Sequence, residues 1–153
     1  MKRFLSLTFI CLLLLFFASG LLTGCAKNKI NNSCGVNCSS VTICTAVYIS
    51  FSVKVKNSDG SAYKLDSFVT VRMEDNKILD IKKDNSSYSD SVNRSNGLYL
   101  VFSDAFGNLT DQCGKEFNFI GYKNNIEVVN EKYVFNHDCC HIQFVSGKRE
   151  ITK

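Results

Sequence analysis

No C-x-x-C pair occurs among the eight cysteines of this 153-residue chain. That spacing is the usual mark of a thiol–disulfide catalyst and is common in zinc sites. A G-x-S-x-G nucleophile turn and a Walker glycine loop are missing as well. "VSGKRE" (145 to 150) sets Gly147-Lys148 in a turn without the earlier glycine that a phosphate loop requires. The spacing of an EF-hand is absent, so Asp59 in "NSDG" and the acids of "MEDN" read as turn formers. Fourteen scattered acids nominate no carboxylate pair for hydrolysis. With no tryptophan, the usual sugar-stacking platform is disfavoured, although six tyrosines remain. Nothing in the sequence suggests the clustered lysine and arginine face that a nucleic-acid partner needs. The sequence therefore predicts no catalytic residues and no cofactor.

What is present begins at the N-terminus. Lys2 and Arg3 form a basic start, and Phe4 to Leu22 is almost wholly apolar. That layout is an export signal, and its length would also suit an uncleaved anchor, since a bilayer takes about 20 residues. The next residues choose between the two. Leu22-Thr23-Gly24-Cys25 resembles the lipobox of bacterial lipoproteins, in which an aliphatic residue and two small ones precede a cysteine. The resemblance implies a cleaved signal over residues 1–24, a diacylglyceride on the Cys25 thiol and a fatty acid such as palmitate on the new amino group. Each buried CH₂ contributes about 0.8 kcal/mol, so two or three chains hold nearly permanently where one holds weakly. Without residues 1–24 the chain has 16 Lys and Arg against 14 acids, so the formal +4 is partly signal.

Residues 25–43 then read as the lipidated cysteine and a flexible tether, rich in Asn, Ser, Lys and Gly. No acidic run follows Cys25, which leans the expectation toward an outer membrane, with the domain facing the periplasm. From residue 44 to 153 the pattern changes to period two. In "VYISFSVKVK", Val47, Ile49, Phe51, Val53 and Val55 share one face and polar residues alternate with them, which predicts a strand with one buried side. Asp59-Gly60 supplies a turn, and strand candidates follow at 67–73, 97–103, 115–123, 126–135 and 139–145. The short "KNN" turn joins two of them as a hairpin. Residues 75–96 are polar and predict a long loop with a short edge strand. Apart from the signal, no stretch shows helical periodicity. The class expected is all-β, a single antiparallel sandwich of immunoglobulin size braced by disulfides.

"VKVKNSDGSAYKLDSFVTVR", "NGLYLVF" and "FIGYK" resemble the strand–turn–strand pattern of transthyretin-like and carboxypeptidase-regulatory-like sandwich domains. The "EKYV…DCCH…G" ending is similar to small lipoproteins of the Bacteroidota. The complete lack of proline and the extra cysteines depart from the regulatory domains. The resemblance implies an accessory or binding module, not an enzyme.

Cys11 leaves with the signal and Cys25 carries lipid, so Cys34, Cys38, Cys44, Cys113, Cys139 and Cys140 remain. An even number in an exported chain predicts disulfides. Neighbours in a strand point to opposite faces, which sets aside a Cys139–Cys140 bond and leaves twelve pairings of the six. Alternation sends Cys140 inward with Ile142 and Phe144, and Cys139 outward with His141 and Gln143. Cys34, Cys38 and Cys44 are the nearest partners for Cys139, a bond that would clip the tether to the sheet, and Cys113 could take another. A competing reading makes His137, Cys139, Cys140 and His141 a zinc or copper site, or a redox centre. Its spacing fits no standard zinc pattern, and an oxidising compartment competes for every thiol. On the simpler reading the histidines are solvated. The function expected is a membrane-anchored binding or accessory module with an envelope protein as partner.

Overall fold

The computed structural model describes residue 38, residues 43–81 and residues 87–153, with the backbone alone given for 87–89. The chain divides into two units, Met1–Asn31 and Asn32–Lys153, and every described residue belongs to the second. The expected signal over residues 1–24, Cys25 and Cys34 lie outside the described residues.

Two sheets face each other. The first has the order β4-β1-β8, from β1 (Ser50–Lys56), β4 (Leu98–Ser103) and β8 (Glu150–Thr152). The second has the order β3-β2-β5-β6-β7, from β2 (Ser67–Arg72), β3 (Lys77–Leu79), β5 (Lys115–Lys123), β6 (Ile126–His137) and β7 (Ile142–Ser146). The expected all-β sandwich is the fold. Neighbouring strands run antiparallel except β1 and β8, which pair in parallel through Val55 and Ile151.

Alternation places the core as period two requires. Phe51, Val53 and Val55 turn inward from β1, Phe117 and Phe119 from β5, and Tyr133 and Phe135 from β6, all buried. Phe102 stacks on Phe135 at 4.7 Å and meets Phe117 at 4.4 Å, which joins the two sheets by aromatic faces. A bulge between Phe51 and Ser52 leaves Val101 out of the β1–β4 register. The hydroxyl of buried Thr70, from the opposite sheet, donates to the Val101 carbonyl at 2.9 Å. A polar group inside the sandwich is thereby satisfied on both sides.

The turns follow their residues. Asn124 and Asn125 both take positive φ, 51° and 61°, as a two-residue turn between right-twisted strands demands. Asp59-Gly60 makes its turn, but only the isolated Lys56–Ala62 bridge follows it, and the chain crosses to the other sheet at β2.

Three expectations need correction. The loop foreseen over 75–96 contains the edge strand β3 but also a helix, α1 (Ser87–Ser95). Asp90 near its start pairs with Arg94 near its end at 3.0 Å, a charge order that suits the helix dipole. Gly97 ends the segment at φ 72°, and a Cβ there would stand 2.4 Å from the Val55 carbonyl oxygen, so only glycine fits. The first strand begins at Ser50, because β4 stops opposite it, at Ser103; Val47 and Ile49 lie outside the sheet and are 58% and 37% exposed. β7 starts at Ile142 and not at residue 139, because the backbone bends at Cys139, which has a positive φ.

Candidate functional site

The segment Asp138–His141 is a bend between β6 and β7, and Cys139 within it has φ 82°. A left-handed residue breaks strand parity, so inward and outward no longer follow from counting. Cys140 is half-buried and does not enter the core as alternation predicts. The bend is held by Asp138, whose Oδ1 accepts the N–H groups of Cys140 at 3.1 Å and His141 at 2.8 Å. Its Oδ2 accepts the Gln143 amide at 2.8 Å. Those bonds keep the Asp138 carboxyl below its ordinary range, against the opposing pull of desolvation. His137 Nδ1 accepts the Cys139 N–H at 3.1 Å, so the unusual backbone has a local partner.

Both cysteines of the doublet reach back to the N-terminal segment. Cys38 bonds Cys139 and Cys44 bonds Cys140, with Cα separations of 5.4 and 5.3 Å, well inside the usual disulfide range. Gln112 Nε2 lies over the first bridge, 2.8 Å from Cys38 Sγ and 3.2 Å from Cys139 Sγ. Cys113 is disulfide-bonded as well, and its partner is none of these four. The bridges take Cys139 and Cys140 out of any thiolate ligand set, since a metal binds the thiolate and not the disulfide. Among the described residues no group of three or more His, Cys, Asp or Glu side chains is placed to hold a metal ion.

His141 is not merely solvated. Its Nδ1 faces Asp104 Oδ2 at 2.8 Å and its Nε2 faces Thr45 Oγ1 at 2.9 Å, and the ring is 19% exposed. With the ring proton on Nδ1, that nitrogen donates to the carboxylate and Nε2 is left to accept the threonine hydroxyl. Hydroxyl, imidazole and carboxylate in that order match a nucleophile triad in sequence of contacts. Here, however, Asp104 also accepts the Ile49 N–H at 2.8 Å and the Ile142 N–H at 2.8 Å. The Asp104 amide in turn donates to the Ile49 carbonyl at 3.0 Å. Asp104 is the node where the entry to β1, the start of β7 and His141 meet. The arrangement is a clasp, covalent at Cys44–Cys140 and polar at Thr45, His141 and Asp104.

Desolvation pushes the Asp104 carboxyl up, but bonds from the Ile142 and Ile49 amides and from His141 outweigh it and hold the group below its ordinary value. A carboxyl depressed on folding contributes stability above its unfolded value, about pH 4, and that contribution fades as pH falls through the lowered folded value. Asp104→Asn should therefore lose roughly 2 kcal/mol near neutrality, the size of hydrogen bonds to a charged group. The deficit should shrink on acidification. Unfolding curves of both proteins from pH 7 to pH 3 check this; a deficit independent of pH would refute it.

Comparison with protein-family models, curated proteins and solved structures finds no match. The remaining nominees therefore rest on geometry alone. Asp59 accepts the Ser61 amide and hydroxyl within its own turn, while Asp75 pairs with Arg72 and Glu74 with Lys115. Two clefts flank the edge strand β3, one of about 390 Å³ reaching Phe106 and Leu109, the other of about 330 Å³ reaching Phe68. Neither contains a cysteine or histidine. Asp104 and Thr45 escaped sequence reasoning, because nothing in "TAV" or "SDAF" marks them as partners of a histidine far along the chain. Among the described residues no helix is long and apolar enough to cross a membrane; the run Phe4–Leu22 lies outside them.

Proposed function

We propose that the protein is an envelope lipoprotein, a lipid-tethered sandwich that serves as a non-enzymatic accessory or binding module. The observation that carries this reading is Leu22-Thr23-Gly24-Cys25 directly behind the apolar run. Placement outside the cytosol is supported by the Cys38–Cys139 and Cys44–Cys140 bridges, because such bonds persist in oxidising compartments. A role in binding is supported by rigid construction: the histidine and acids of the cystine end are all used in holding the chain together. The transthyretin-like or regulatory-like kinship is the finer form of this reading. So is an outer-membrane position facing the periplasm, where an envelope protein would be the partner.

Intact-mass and peptide spectrometry of the protein from its native host is the test. The expected product starts at Cys25, carries a diacylglyceride on its sulfur and, after N-acylation, a third fatty chain. A polypeptide that retains Met1, or a bare residue 25, overturns the reading.

A further inference from the structure

The stretch between the cystine end and β1 is held in place yet faces water with apolar side chains. Ile43 is 94% exposed, Val47 58%, Tyr48 55% and Ile49 37%. Their backbone is not left to wander. Cys44 is bonded to Cys140, Thr45 to His141, and Ile49 to Asp104 through both its N–H and its carbonyl. The Tyr48 hydroxyl donates to Ser103 Oγ at 3.0 Å, leaving the ring on the surface. A covalent and polar clasp that displays apolar side chains outward is a preformed contact surface, since the ordering cost has been met before anything binds.

We propose that this strip contacts the lipid surface to which the chain is anchored, so that the domain docks on the bilayer by its cystine end. The inference rests on the lipoprotein reading. Twelve residues separate Cys25 from Cys38. A chain of that length reaches at most about 45 Å. Beyond Cys38 the chain is bonded to Cys139, so the strip is always within that reach of the membrane. Tethering at so short a range makes a weak surface contact effective.

Charge favours the same occupant. The first Asp or Glu in the sequence is Asp59, and from Cys25 to the end of the strip at Ile49 the only charged residues are Lys27 and Lys29. An acid-free, lysine-bearing approach suits anionic headgroups. Of the acids at this end, Asp104 and Asp138 have their oxygens engaged by amides, His141 and Gln143, and Asp111 pairs with Lys115 at 3.4 Å. Tyr48, 55% exposed while its hydroxyl is held by Ser103, adds part of its ring to the apolar surface of the strip.

The test is hydroxyl-radical footprinting of the full lipidated protein in vesicles of phosphatidylethanolamine and phosphatidylglycerol, with the same protein in detergent micelles as reference. Ile78 and Ile126, 63% and 66% exposed, serve as internal controls. Oxidation of Ile43, Val47, Tyr48 and Ile49 should fall several-fold in vesicles relative to the controls, and Val47→Asp should restore it without shifting the melting temperature. Strip residues oxidised as fast as Ile78 and Ile126 would overturn the proposal. So would protection that rises with protein density at fixed lipid composition, which would assign the strip to a second copy of the chain. A mass spectrum of the same sample separates the two levels: a lipid-free Cys25 defeats the anchor, whereas a lipidated Cys25 beside a freely oxidised strip defeats only the docking.

Discussion

A variant without either clip, Cys38→Ser, Cys44→Ser, Cys139→Ser and Cys140→Ser together, should lose more stability than the two single-bridge variants added, by up to about 2 kcal/mol. The bridges join residues 101 and 96 apart in sequence, nearly the same long loop. Once one is closed, the other closes only a ring of about nine residues, from 38 to 44 and across 139 and 140. In the chain-entropy account a loop of about 100 residues is worth about 4.7 kcal/mol and a ring of about nine about 2.6. Removing either bridge alone leaves the long loop closed, so each single loss should be about 2.6 kcal/mol. Removing both should cost about 7 kcal/mol, a ceiling because the bridge at Cys113 remains in every variant. That is a large share of the 5–15 kcal/mol typical of a domain. Denaturant unfolding of the three variants without reductant measures it. Losses that simply add would show that the bridges act by local packing and not through the unfolded chain.

Much of this architecture was legible because period two is a strong signal where a strand is long and one-sided. β5 runs from Lys115 to Lys123, as its pattern foretells, and Asn124-Asn125 turns it into β6. The same pattern overran at the other end. Val47 and Ile49 continue the alternation of β1, but alternation carries no information about where the neighbouring strand stops. α1 escaped because "SYSDSVNRS" has one aliphatic residue, Val92, and so no apolar stripe to count. β8 is three residues with one buried side chain, Ile151, too short to show a period.

The cystine end shows a different limit. Composition and expected compartment led to disulfides, and the wish of Cys139 for an N-terminal partner could be reasoned from topology. The destination of Cys140 could not, because its inward direction was inferred from a strand that the positive φ at Cys139 interrupts. No glycine or asparagine advertises that break. His141 likewise looked solitary, since its partners Thr45 and Asp104 are 96 and 37 residues away in sequence. Long-range polar pairing leaves no periodic trace, which is why the clasp emerges only with the fold.

Truncating Phe135 should be the most damaging single change in the core. Its ring is fully buried and lies within 4.7 to 6.2 Å of five others: Phe51, Phe102, Phe117, Tyr133 and Phe144. These come from β1, β4, β5, β6 and β7, so one side chain bears on both sheets. Phe135→Ala removes the hydrophobic transfer energy of the ring and opens a cavity whose walls are themselves rigid rings, poorly able to collapse into it. The expected loss is about 3–5 kcal/mol, against less than about 0.5 for Ile126→Ala, whose side chain is mostly in water. The effect should also reach the clasp. Phe135 stands opposite Phe144 in the β6–β7 register, two residues before His137 and four before the left-handed Cys139. Loosening that hairpin should raise hydrogen exchange at the amides of His141 and Ile142 while the bridges keep the bend attached. An equilibrium unfolding curve paired with exchange at those two amides provides the check. A loss below about 2 kcal/mol, under the range for a buried phenylalanine, would mean that the aromatic cluster repacks around the gap.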